Sequence, residues 1–158
     1  MLRQAPDRIV TAIGVILLFT NYRIFRDADY ARPLWELHGA AAWSMTGLVA
    51  LGILFAWWAR IHLGSLWSGT VTQKEGHRIV DTGPYAIVRH PIYTGLLLSA
   101  YALAALRGAP VSLAGAGLFT LGWYMKARLE EGFLSKDLGA EYEAYRERVP
   151  MLVPFIGV

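Results

Sequence analysis

The sequence predicts an all-α integral membrane protein with about four transmembrane helices, the third and fourth forming a helical hairpin, followed by a C-terminal amphipathic cytoplasmic helix. Three observations carry this. Hydrophobic residues make up 55% of the chain and charged residues 17%, where soluble domains hold roughly 45–50% and 25%. The apolar residues are gathered into runs free of Asp, Glu, Lys and Arg. The basic residues lie mainly in alternate connections between those runs, the distribution expected of loops on one side of a bilayer.

The first run, Ile9–Tyr22, leads into Asn21-Tyr22-Arg23-Ile24-Phe25. That stretch lacks the small-residue cleavage site of a signal peptide, so the run is expected to remain as a helix. The second, Leu37–Ala59, is uncharged over 23 residues, against the roughly 20 that a spanning helix needs. Pro91–Leu106 and Gly108–Met125 are separated by Arg107 alone. The Arg-Gly-Ala-Pro break favours a tight turn and hence a hairpin. Beyond Met125, the residues Leu129, Phe133, Leu134, Leu138, Tyr142, Tyr145 and Val149 recur at helical spacing, with Lys, Arg and Glu between them. This amphipathic segment either lies along the membrane or extends the fourth span. Gly139 is placed to bend it, and Pro150 to stop it.

With four spans, the N-terminus, the middle loop and the C-terminal segment share one side and hold eleven of the fifteen basic residues. The positive-inside rule puts that side, with both termini, in the cytoplasm. The 158 residues suffice for one domain. The absence of cysteine excludes disulfides and thiolate chemistry. The four histidines have no metal-ligand spacing, so no metal is expected. No glycine-rich strand–helix turn marks a dinucleotide fold. No basic–aromatic array suggests nucleic acid. Gly115 and Gly117, within an apolar run, suit helix packing.

The residues able to do chemistry concentrate at Gly83-Pro-Tyr-Ala-Ile-Val-Arg-His-Pro-Ile-Tyr-Thr-Gly95. Pro91 suits the first turn of a helix, where its missing N–H costs nothing. Arg89, His90 and Tyr93 then stand at the helix mouth, whose partial positive charge suits an anion such as a carboxylate. Anchoring at the membrane interface is the alternative for each of these side chains. Glu130-Glu131 forms a second cluster. Adjacent carboxylates are costly near a span, unless solvated and paired with Lys126 or Arg128. Glu130 shares a helical face with Phe133 and Leu134.

Taken together, His77-Arg-Ile-Val80, Gly83-Pro-Tyr85, Arg89-His-Pro-Ile-Tyr93, Glu130-Glu131, Tyr142-x-x-Tyr145 and Val149-Pro150 resemble the isoprenylcysteine carboxyl methyltransferase family. The phospholipid N-methyltransferases are more distant relatives. The resemblance covers roughly residues 60–156. It implies a helical membrane enzyme that binds S-adenosyl-L-methionine without a Rossmann fold and releases S-adenosyl-L-homocysteine. The implied cofactor residues are Gln73, His77, Arg78, Ile79, Val80, Tyr85, His90, Pro91, Ile92, Tyr93 and Glu130. Arg89, Lys126, Arg128 and Glu131 are the implied catalytic and acceptor-holding groups. The implied acceptor is a lipophilic or prenylated molecule reached from the lipid bilayer, with the C-terminal helix closing over the site. Where the family carries an arginine one turn before the cofactor glutamate, this chain has Lys126, a point charge without the guanidinium fork. N-methylation of a lipid amine, a non-catalytic membrane subunit and a sterol-reductase-type enzyme are the alternatives.

Overall fold

The computed structural model describes residues 5–20, 32–64 and 79–156. They form five α-helices: α1 (Ala5–Phe19), α2 (Gly39–Leu63), α3 (Pro91–Arg107), α4 (Pro110–Leu138) and α5 (Ala140–Arg148), with a 3-10 turn at Gly83–Ala86 before α3. No strand occurs among the described residues. Two compact units emerge, one from Met1–Ile53 with Leu96–Lys126, the other from Leu54–Gly95 with Ala127–Val158.

Helix α2 is 25 residues long with mean hydropathy 1.7 over its most apolar window. At 1.5 Å per residue it reaches about 37 Å, more than the roughly 30 Å of a hydrocarbon core. Trp43, Leu51, Leu54, Trp57 and Ile61 are all exposed along it. These side chains share one face, opposite the buried Ala56 and Ala59, and a broad face of large exposed apolar side chains suits lipid. Among the described helices, α2 alone is long and apolar enough to cross a membrane. Helix α1 has 15 residues and α3 has 17, so α1 falls short of the roughly 17–25 residues of a span and α3 stands at its lower limit.

In the first unit the expected hairpin between α3 and α4 is present. Gly108 makes the turn at φ +64°, and a Cβ there would meet the Trp35 carbonyl oxygen at 2.1 Å. The turn is tied down by Leu34 N–H donating to the Gly108 carbonyl at 2.8 Å and by the Trp35 indole donating to the Ala105 carbonyl at 2.9 Å. Arg107 donates to Ser112 Oγ at 3.1 Å and to the Thr20 carbonyl, so it closes the end of α1 as well. Leu18, Ala100, Ala104, Ala116 and Phe119 form the core here. The α1–α4 crossing depends on small residues that let the backbones approach. A Cβ on Gly115 would lie 2.4 Å from Leu18 N, whereas one on Gly117 would meet nothing within 4 Å.

In the second unit, α4 continues past its apolar stretch to Leu138, so the amphipathic pattern begins as an extension of the same helix. Gly139, at φ +55°, breaks it and starts α5. Tyr142, Tyr145 and Val149 are buried against Ile79, Leu134 and Leu138. Of the residues at helical spacing from Leu129 to Val149, Leu134, Leu138, Tyr142, Tyr145 and Val149 thus pack onto their own unit, while Phe133 stays exposed.

Candidate functional site

The site lies within the second unit, where the 3-10 turn, the start of α3, the end of α4 and α5 meet. Gly83 opens the turn at φ +59°, and a Cβ there would press on the His62 ring at 2.8 Å. His62 also lies 3.0 Å from Thr82 Oγ1 and stacks at 6.3 Å on the Tyr85 ring. Tyr85 is clamped at both ends. Its hydroxyl donates to the Ala59 carbonyl at 3.4 Å, and its carbonyl accepts from the Tyr145 hydroxyl at 2.7 Å. Burial pushes the Tyr85 phenol up, and the Glu130 carboxylate pushes it the same way, so it remains a neutral phenol.

Pro91 starts α3, as its fixed φ favours. Immediately before it, Arg89 N–H donates to the Pro150 carbonyl at 2.8 Å and His90 N–H to the Met151 carbonyl at 3.1 Å. Thr94 Oγ1 donates to the Leu152 carbonyl at 2.6 Å. The segment after α5 is thereby stitched along the mouth of α3.

Arg89 is buried, and its guanidinium is engaged through Nε and Nη1. Nε donates to Glu131 Oε1 at 2.7 Å. Nη1 donates to the Arg146 carbonyl at 2.8 Å and to the Val149 carbonyl, closing the C-terminal end of α5 as basic side chains do at helix ends. Glu131 is 3% exposed. Burial pushes its carboxyl up, but the close approach of the His90 ring and the hydrogen bond from Arg89 outweigh that and lower it to about 2. A carboxylate held that low is a poor proton acceptor near neutrality.

His90 stands between the two glutamates. Its Nε2 lies 3.4 Å from Glu131 Oε1 and its Nδ1 lies 3.6 Å from Glu130 Oε2. The ring stacks on Tyr93 with centroids 5.3 Å apart and planes within 3°. The Tyr93 hydroxyl donates to Glu130, 2.7 and 2.8 Å from its two oxygens. The Glu130 side chain is partly buried, with 19% of it exposed. His90 Nε2, Glu131 Oε2 and the Tyr142 hydroxyl are buried without a well-directed hydrogen-bond partner.

The structure thus brings together Tyr85, Arg89, His90, Pro91, Tyr93, Glu130 and Glu131. Ile79 packs beneath them against Tyr142 and Tyr145, and Val80 and Ile92 are half-buried. Lys126 belongs to the first unit, where its ammonium lies 5.2 Å over the Trp123 ring. Arg128 is exposed. Gln73, His77 and Arg78 fall outside the described residues. His62, behind the Gly83 turn, escaped the sequence pattern, while Tyr145 and Thr94 stood within the quoted motifs without an assigned role and are found on the Tyr85 and Leu152 carbonyls. A histidine closing an apolar helix was the signal available for His62.

These features define an all-helical protein with a membrane-compatible helix and a buried ionic cluster at the mouth of an apolar helix. The model of the isoprenylcysteine carboxyl methyltransferase family matches residues 45–135, and the chain belongs to that family. Methanethiol S-methyltransferase 2 of Bradyrhizobium diazoefficiens is 33% identical over 92% of this chain and 57% of its own length. Protein-S-isoprenylcysteine O-methyltransferase of Schizosaccharomyces pombe is 33% identical over 72% of this chain and 49% of its own. The cobalt-zinc-cadmium resistance protein CzcN of Cupriavidus metallidurans is 30% identical over 97% of this chain and 69% of its own. The chain spans about half the length of the first two of these relatives.

Proposed function

We propose that the protein transfers a methyl group from S-adenosyl-L-methionine to a lipophilic acceptor at the cytoplasmic face of a membrane, with isoprenylcysteine carboxyl O-methylation as the nearest chemistry. Family membership supports methyl transfer as the reaction. The observation that carries the cofactor is the partly buried Glu130 carboxylate, fixed by Tyr93 and flanked by the stacked His90–Tyr93 rings.

The donor set suits that cofactor. Glu130 offers an anion for an ammonium or for ribose hydroxyls. The faces of Tyr93 and Tyr85 suit an adenine or a sulfonium, an attraction of about 0.5–2 kcal/mol for a cation on a ring. The mouth of α3 adds partial positive charge suited to a carboxylate. When bound, the cofactor supplies a methyl group activated on sulfur.

The chain's own residues position and desolvate. Arg89 and Glu131 neutralise one another and lock α5 to the mouth of α3. That lock keeps Tyr85 and Glu130 in register, and holding reactants in place supplies much of the rate in a displacement of this kind. A carboxylate acceptor needs no proton removed. Glu131 is engaged with Arg89 and therefore acts by holding the site together, not as a base.

A second acceptor class has a specific observation behind it. The named methanethiol S-methyltransferase aligns with 92% of this chain, a longer stretch than the isoprenylcysteine enzyme of Schizosaccharomyces pombe covers. A thiol must lose its proton to react well, and Glu130 or water would receive it. Purified protein given labelled cofactor and either a prenylcysteine analogue or a small thiol separates the two classes. Labelling of neither substrate, with no S-adenosyl-L-homocysteine bound, overturns the proposal.

A further inference from the structure

The surface of the second unit changes character sharply at Val149. On α5 the exposed residues include Glu141, Glu143, Glu147 and Arg148. From Val149 to Ile156 no residue is charged. Val153 and Ile156 are exposed, and Phe155 is 97% exposed, touching almost nothing in its own chain.

The backbone makes that exposure more telling. Ile156 N–H donates to the Val153 carbonyl at 3.2 Å, closing a tight turn. Pro154 and Phe155 are its central residues, and Phe155 has φ +66°. Proline followed by a residue of positive φ is the type II pattern, whose second central position favours Gly or Asn. A bulky phenylalanine there is strained, and no packing within the chain repays it. The turn instead projects three apolar side chains outward from a fixed base.

That base is firm. Pro150, Met151 and Leu152 are bonded through their carbonyls to Arg89, His90 and Thr94 at the start of α3. The apolar run Pro91–Leu106 begins there. The same unit carries the lipid-suited part of α2, with Leu54, Trp57, Trp58 and Ile61 exposed. A charged helix followed by an uncharged turn, tied to the point where an apolar helix starts, is the layout of a polar–apolar boundary.

We infer that Val153, Phe155 and Ile156 form a wedge that inserts into the interfacial layer of a lipid bilayer beside the mouth of α3. This goes beyond the proposed reaction and does not depend on it. The partner is a lipid surface. Insertion is expected to be shallow, about 5–10 Å into the headgroup–acyl boundary, as for other interfacial apolar elements.

The absence of cysteine makes the test clean. Phe155→Cys is labelled with a nitroxide in the full chain, reconstituted in phosphatidylcholine–phosphatidylglycerol bilayers. Its collision rates with oxygen and with a water-soluble nickel chelate are compared with those of a label at Glu141→Cys. Ile156→Cys serves as a second probe should the first variant fold poorly. The expected result is at least a threefold higher oxygen-to-nickel ratio at residue 155 or 156 than at 141. Equal ratios overturn the wedge. So does a label shielded from both reagents, which means that protein covers it. Spin–spin broadening that vanishes on dilution with unlabelled protein assigns the surface to a second copy and also overturns it.

Discussion

Arg89 Nε donates to Glu131 Oε1 at 2.7 Å, with both side chains almost fully buried. Forty-two residues of sequence separate them, and this contact joins the loop before α3 to the C-terminal part of α4. Through its second nitrogen Arg89 also holds the carbonyls that end α5. One side chain thus fixes three elements around the candidate site.

Breaking that pair is expected to be costly, because removing one partner leaves a buried charge uncompensated, at about 3–5 kcal/mol. Arg89→Ala should lower the thermal midpoint in detergent markedly. Arg89→Ala combined with Glu131→Gln should recover part of the loss. A double variant no more stable than Arg89→Ala would show that the carbonyl contacts, not the ion pair, carry the effect.

Acid stability should depend on Glu131. Its carboxyl is held at about 2, below the ordinary 4.5. The stabilisation is therefore fully present above about pH 4.5 and is lost as pH falls toward 2. The difference corresponds to roughly 3 kcal/mol. Denaturation profiles between pH 6 and 2.5 should be flatter for Glu131→Gln than for the parent. Parallel profiles would remove Glu131 as the source.

The hydroxyl of Tyr93 spans both oxygens of Glu130. Tyr93→Phe keeps the ring stacked on His90 but removes those bonds. Losing a hydrogen bond to a charged group costs about 1.5–3 kcal/mol, so affinity for S-adenosyl-L-homocysteine should fall at least tenfold by titration calorimetry. Unchanged affinity would mean that Glu130 is not oriented by Tyr93 for the ligand.

Two neighbouring glycines should behave oppositely. At Gly115 a Cβ would collide with the backbone of α1, whereas at Gly117 it would enter open space. Gly115→Ala should destabilise by about 1–3 kcal/mol, as overpacking does. Gly117→Ala should be neutral or stabilising by up to about 1 kcal/mol. Thermal unfolding of both in one detergent compares them directly.

Much of the architecture was legible because local signals are local in cause. Pro91 at a helix start, the Arg107–Pro110 turn and the break at Gly139 each follow from backbone restriction within a few residues. The cluster at Arg89-His90-Pro91 and the pair Glu130-Glu131 stood out by charge density beside apolar runs. What each side chain touches was not legible. The partnership of Arg89 with Glu131 and the carbonyls of α5 arises from the fold of α4 back along the mouth of α3, which no spacing in either segment encodes. Adjacent carboxylates on a helix point about 100° apart, so Glu130 and Glu131 take separate surroundings, partly and fully buried. Span count follows helix length. The uncharged runs Ile9–Tyr22 and Pro91–Leu106 are shorter than the roughly 20 residues of a span, and the helices built on them, α1 and α3, close at 15 and 17 residues.

The most direct test is titration calorimetry of S-adenosyl-L-homocysteine into the purified full chain in detergent, repeated with Glu130→Ala. Methyl transfer through this site requires saturable binding by the parent and at least tenfold weaker binding by the variant. Absence of binding by a folded parent in several detergents, or binding of NADPH in its place, would contradict it.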